Sequence, residues 1–148
     1  MRVCVCSSMS FYDRFAPLRE QLELLGHSVL IPELRMKQGE VRLSVREYME
    51  INGGSSAFPS GHEIWEYKTT AIREHFKKID QSDCILVVNY EKKGISGYIG
   101  GNTFLEMGYA FGIGKKIYIL NDIPQTDFGE EILGMQPIVL KGDISKLA

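Results

Sequence analysis

Three places in the sequence carry side chains suited to chemistry. The first is Ser7-Ser8-Met9-Ser10, a run of hydroxyls directly after the apolar stretch Val3-Cys4-Val5-Cys6. Backbone N–H groups and hydroxyls at the start of a helix can hold a phosphate or a sugar hydroxyl; an ordinary polar turn has the same composition. The run is not a Walker loop, since no Gly-Lys-Ser/Thr follows, and it is not Gly-x-Gly-x-x-Gly. The second is the segment GISGYIGGNTFLEMGYAFGIG, residues 94–114. Gly94, Gly97, Gly100 and Gly101 let the backbone approach a ligand closely. Glu106 falls in the first turns of the helix behind them, one position off its apolar stripe. The helix dipole favours an ionised carboxylate there. Such a group beside a ligand suits attack on an electron-poor carbon such as a sugar C1; a solvated Glu that merely stabilises the helix fits the same spacing. The third is the pair His75 and Asp83. Asp83 stands at a helix-to-strand junction, where an Asp commonly caps a turn, and a His on an amphipathic helix is commonly solvated or hydrogen-bonded.

The elements that must position these groups follow from hydrophobic periodicity. Val3–Cys6 predicts a strand buried on both faces. Phe15, Leu18, Leu22 and Leu25 recur at helical spacing, and Gly26 stops the helix at a left-handed cap. Ser28–Ile31 predicts a second strand, ended by Pro32, which completes a βαβ unit. Residues 33–63 are less regular: Val41, Leu43 and Val45 alternate, Arg46–Ile51 has room for a helical turn, and 52–61 (NGGSSAFPSG) is a loop too polar to pack. An excursion of that length is expected to be a lid or a partner contact. Helical period returns from Ile64, with Trp65, Ile72, Phe76 and Ile79 on one face. Cys84–Val88 is the most hydrophobic run and predicts a central strand. Asn89–Gly101 is a Gly-rich loop, and Asn102 is placed to N-cap a helix whose Phe104, Met107, Gly108 and Phe111 face the sheet. Lys116–Leu120 and Pro137–Leu140 predict the last two strands. The pattern is α/β: one doubly wound parallel sheet of about five strands, in a single domain. In such sheets ligands bind at the carboxyl ends of the strands.

Composition narrows the classes. The 148 residues carry 17 basic and 19 acidic side chains for a net charge of −2. No Lys/Arg stripe suits a nucleic acid polymer. No apolar run approaches the ~20 residues of a membrane span, and the basic start of a signal peptide is missing. A soluble, cytoplasmic protein that is not secreted and has no membrane partner is expected. Cys4 and Cys6 point to one face of their strand, and no further Cys or spaced His pair completes a metal set, so Cys4, Cys6 and Cys84 read as buried structural thiols with no metal.

Phe104-Leu105-Glu106-Met107-Gly108-Tyr109-Ala110 and the following Gly114-Lys115-Lys116-Ile117 resemble the Glu-hydrophobic-Gly-x-Ala helix and Gly-Lys-x-hydrophobic strand of the nucleoside 2-deoxyribosyltransferase superfamily, which includes the 2'-deoxynucleoside 5'-phosphate N-hydrolases. Ser82-Asp83 with the strand to Val88 is similar to its Ala/Ser-Asp-hydrophobic strand, and Cys6-Ser7-Ser8 to its small-residue substrate loop. The resemblance spans the chain apart from 33–63. It implies a flavodoxin-like (Rossmann-like) fold, a homodimer or larger homo-oligomer, no cofactor, and cleavage of an N-glycosidic bond through a covalent glycosyl-enzyme on Glu106, with the sugar passing to water or a second base. This chain departs from the family at three positions. His75 stands where the family has its acid/base Asp, Gly100 where it has a substrate-binding Asp or Ser, and Cys4 where it has a Tyr.

On this reading the chain is an N-glycosidase or glycosyltransferase for a small nucleoside or nucleotide. Glu106 attacks C1, His75 assists departure of the base, and Asp83 orients nearby groups. Ser7, Ser8, Asn89, Gly100, Gly101, Asn102 and Thr103 hold phosphate or sugar hydroxyls. Serine and backbone donors without a nearby Lys or Arg can still take a phosphate, which favours a 5'-phosphate substrate. Two other classes compete. A nucleotide sensor would keep the pocket and lose the chemistry, and the missing family Asp residues motivate it. A flavin-binding redox protein would stack Tyr90, Tyr98 and Trp65 on its ring, but its serine loop would be short of hydroxyls.

Overall fold

Apolar strands alternating with amphipathic helices can bury their surfaces only by stacking helices on both faces of a sheet. The computed structural model describes residues 1–148 and shows this arrangement. Strands β1 (Arg2–Ser7), β2 (Ser28–Leu30), β5 (Cys84–Val88), β6 (Lys116–Ile119) and β7 (Ile138–Val139) form one sheet in the order β2-β1-β5-β6-β7. Every pairing is parallel. Counting only these five strands, the order is 2-1-3-4-5, that of the flavodoxin-like fold, with the reversal between β1 and β5. Helices are α1 (Phe15–Leu24), α2 (Val45–Ile51), α3 (Ile64–Asp80), α4 (Gly101–Gly112) and α5 (Gly129–Gly134).

The period-2 alternation sorts side chains between two cores. Val3 and Val5 of β1 join Leu86 and Val88 of β5 against Phe15, Leu18 and Leu22 of α1. Cys4 and Cys6 face the other way, with Ile85 and Val87, against Ile79 of α3 and Met107 and Ala110 of α4. Both faces are therefore covered, which is why the strands read as continuous apolar runs. Gly26 has φ 87°, as the expected left-handed cap requires.

The chain divides into two compact units, Met1–Pro32 with Phe76–Ala148, and Glu33–His75. The second contains the stretch read as an excursion, and it is built rather than loose. Strands β3 (Met36–Gln38) and β4 (Val41–Leu43) pair antiparallel. A reciprocal capping box starts α2: the Ser44 hydroxyl accepts from the Glu47 N–H at 3.1 Å, and the Glu47 carboxylate accepts from the Ser44 N–H at 2.8 Å. Val45, Met49, Phe58 and Ile64 form a core of their own. The 52–61 stretch is thus not too polar to pack: Phe58 anchors it, and the Trp65 indole N–H donates to the Pro59 carbonyl at 3.0 Å.

Two smaller expectations are corrected. The residue capping α4 is Gly100, with helix from Gly101, so Asn102 lies inside the first turn. The buried stripe of α4 is Thr103, Met107 and Ala110, while Phe111 and Gly108 are exposed. Helix α5 has too few apolar positions to announce itself, yet its Ile132 is fully buried.

Candidate active site

The switch point between β1 and β5 brings Ser7, Ser8, Asn89 and the start of α4 to one edge of the sheet. Helix α4 leaves that edge and runs back across β1, β5 and β6. Glu106, on its second turn, turns inward: the Oε2 atom is shielded from solvent and the residue is partly buried. Its neighbour on β1 is Cys6, whose thiol is within hydrogen-bonding reach of the carboxylate. Burial above all, then the hydrogen bond with Cys4 and the Glu106 charge, push the Cys6 thiol well above its ordinary pKa. It therefore stays S–H and supplies the carboxylate with a donor. Cys6 is the penultimate residue of β1, so Glu106 lies near the strand's carboxyl end, inside the fold rather than on the exposed face of α4.

The hydroxyl loop is real but its members differ. Ser7 is buried and donates to the Val88 carbonyl at 2.6 Å, tying β1 to β5. Ser8 caps the short helical turn Met9–Arg14, and its Oγ lies 2.7 Å from that of Ser10. Lys92 reaches the same place: its Nζ is 3.5 Å from Ser8 Oγ and 4.8 Å from the Tyr98 ring centroid. A cation therefore does stand beside the serines, contrary to the sequence expectation. A tight turn delivers it: Lys93 and Gly94 both have positive φ, and Lys92 and Ile95 exchange backbone hydrogen bonds of 3.1 and 2.9 Å. Arg14 lies 4.4 Å over Tyr90, which also packs edge-on against Phe11. Tyr90 and Tyr98 are thus each faced by a cation rather than left open for a flavin ring.

Asn89 braces the sheet edge. It is fully buried. Its amide nitrogen donates to the Asp122 carbonyl at 3.0 Å and the Gly97 carbonyl at 3.3 Å, and its oxygen accepts from the Asn121 N–H at 2.8 Å. Gly97 completes this junction: with φ 69°, a Cβ there would lie 2.5 Å from the Asp122 carbonyl oxygen. Asp83 acts on local backbone. Its carboxylate accepts from the Arg2 N–H at 2.6 Å, at the amino end of β1. The register pairs Val3 with Cys84 and Ser7 with Val88, so Asp83 sits a strand length, about 17 Å at ~3.3 Å per residue, from the serine edge. His75 is the last residue of the second unit and is 6% exposed, not solvated. Gly101 and Asn102 are exposed at the start of α4, Thr103 is buried, and a Cβ at Gly100 would crowd the Tyr98 ring at 3.1–3.2 Å.

No protein-family model and no curated protein sequence matches the chain. Solved structures do. The Clostridium botulinum CMP N-glycosidase BcmB superposes with a TM-score of 0.50 at 18% identity, over 95% of this chain and 89% of that one. The chain shares its fold with that enzyme. A 2-deoxyribosyltransferase from Bacillus psychrosaccharolyticus matches with a TM-score of 0.47 at 17% identity, over 80% of this chain and 71% of the other. No helix of the chain is long and apolar enough to cross a membrane.

Proposed function

We propose that the protein cleaves the N-glycosidic bond of a nucleoside or nucleoside 5'-monophosphate, without a cofactor, using Glu106 as nucleophile. The observation that carries this is the inward-turned Glu106 carboxylate beside the Cys6 thiol near the carboxyl end of β1, where open parallel sheets bind ligands. The resemblance of the Glu106 helix and the shared fold with a CMP N-glycosidase support it. A Glu106 oxygen bonds to C1' as the C1'–N bond breaks, and the electron pair leaves with the base, which takes up a proton. His75 is the proton donor that the sequence supplies. Water, or the nitrogen of a second base, then attacks C1' and frees Glu106. Lys92, with Ser8 and Ser10, provides the charge and hydroxyls for a 5'-phosphate. Helix α4 exposes Gly101, Leu105, Gly108 and Gly112 along one side, a flat face that suits the second copy of a homodimer; light scattering showing a monomer would remove that part.

A second reading is a sensor that binds a nucleotide without cleaving it. It is favoured by Gly100 in place of the family's substrate-binding residue and by the engagement of Ser7 and Asn89 in bracing. Incubation with a panel of nucleosides and 5'-monophosphates, with chromatography for free base, separates the two. Base release supports the enzyme, and tight binding without release supports the sensor.

A further inference from the structure

The unit Glu33–His75 has a pocket of its own, of about 610 Å³, that shares no residue with the sheet-edge site. That is within the ~300–1,000 Å³ of small-molecule sites. Arg35 and Lys37 of the β3 segment line it, facing a single lining acid, Glu63. Arg35 also contacts Glu33 at 3.3 Å, but a guanidinium has five donors and one such contact leaves most of them for a ligand. Tyr48 and Phe58 supply ring surfaces, with centroids 6.5 Å apart.

Two polar side chains in the lining are held in defined hydrogen-bonding states. His62 Nδ1 accepts from the Ile64 N–H at 3.0 Å, which leaves Nε2 as the ring's donor. The edge-on contact of that ring with Phe58, at 5.0 Å, holds its plane. The Asn52 amide nitrogen donates to Gln38 Oε1 at 2.9 Å and to the Tyr48 carbonyl at 2.8 Å. Both amide protons are used, so Asn52 offers its Oδ1, an acceptor. Two cations, ring faces, one fixed donor and one fixed acceptor match a planar heterocycle that carries its own donor and acceptor and an anionic group.

We infer that this pocket is a second binding site, for a ligand of the nucleoside monophosphate class. The anionic group meets Arg35 and Lys37, and the base lies against Tyr48 and Phe58 with its polar edge toward His62 and Asn52. An aromatic carboxylate shares part of this chemistry, and the test separates the two.

The experiment titrates the full chain with AMP, CMP, adenosine, inorganic phosphate and 4-hydroxybenzoate by equilibrium dialysis, with the fluorescence of the single tryptophan, Trp65, as a local reporter. It is run in the wild type, in Lys92→Ala and, in that Lys92→Ala background so that the sheet-edge site is weakened in both, in the double variant Arg35→Ala/Lys37→Ala. The expected result is nucleotide binding that changes Trp65 emission, persists in Lys92→Ala, and weakens at least tenfold in the double variant. Adenosine and phosphate alone should bind at least tenfold more weakly than AMP. Binding of no nucleotide to Lys92→Ala, unchanged affinity in the double variant, or binding of 4-hydroxybenzoate in preference to nucleotides would each overturn the inference. Base release is read separately, so loss of this site leaves the proposed glycosidic activity standing, and the reverse.

Discussion

At the scale of single residues, a thiol and a carboxylate share a buried corner. Cys6 holds its proton because burial and the adjacent Glu106 charge both oppose a thiolate. Cys84 is buried too, and burial followed by the Asp83 charge pushes its thiol up to about 11. Both folded-state values lie above those of the unfolded chain, so the folded state binds these protons more tightly. The stability they contribute is fully present below pH 9 and is lost as pH rises toward about 11 for Cys84. Urea unfolding should therefore give a falling stability between pH 9 and 11. Cys84→Val should flatten the slope by about 1 kcal/mol per pH unit, short of the ~1.4 limit for one group; an unchanged slope would contradict the assignment. Lys92→Ala should raise KM for a nucleoside 5'-monophosphate by about tenfold, the ~1.5 kcal/mol of one charge-assisted bond, and leave the unphosphorylated nucleoside unaffected. An equal effect on both would place Lys92 away from the phosphate. The helix that carries Glu106 was legible in the sequence because apolar spacing is local, although its buried stripe of Thr103, Met107 and Ala110 was not. Lys92 was not, because its approach to Ser8 depends on a turn that folds the chain back across 84 positions.

At the scale of elements, the loops after β5 and β6 are locked together by one side chain. Asn89→Ala removes bonds to backbone groups of Gly97, Asn121 and Asp122 and leaves buried partners unsatisfied. It should cost about 3 kcal/mol while leaving KM near wild type in the folded fraction. A large KM effect with normal stability would make Asn89 a ligand contact. Gly97→Ala should be comparably damaging, at ~2 kcal/mol or more, because it combines a left-handed backbone with a clash against the Asp122 carbonyl. The strands and α4 could be read from periodicity alone, since two-sided burial leaves an unbroken apolar run. The roles of Asn89 and Asp83 could not, because their partners lie 8 to 33 and 81 residues away. Sequence places Asp83 at a strand end but does not say which end carries the ligand until the sheet is drawn.

At the scale of the whole molecule, a five-strand parallel sheet was foreseeable from the alternation of strands and helices, and its 2-1-3-4-5 order places the switch point where the hydroxyl loop and the Gly-rich loop meet. The unit Glu33–His75 was not foreseeable as a packed body. Its core is four side chains scattered among polar residues, and Phe58 lies within a Gly/Ser/Pro run that resembles a loop. Phe58→Ala should destabilise that unit by about 3 kcal/mol and shift the Trp65 unfolding transition to lower urea; an unmoved transition would show that this core contributes little.

The proposed reaction requires that Glu106 become covalently attached to a pentose. Incubation with 2-deoxy-2-fluoroarabino analogues of nucleosides and their 5'-monophosphates, followed by peptide mass spectrometry, tests it directly. One glycosyl adduct is expected on the peptide containing Glu106 in the wild type and none in Glu106→Gln, which should also lose base release by at least a thousandfold. An adduct on another residue, or normal turnover by Glu106→Gln, would contradict it.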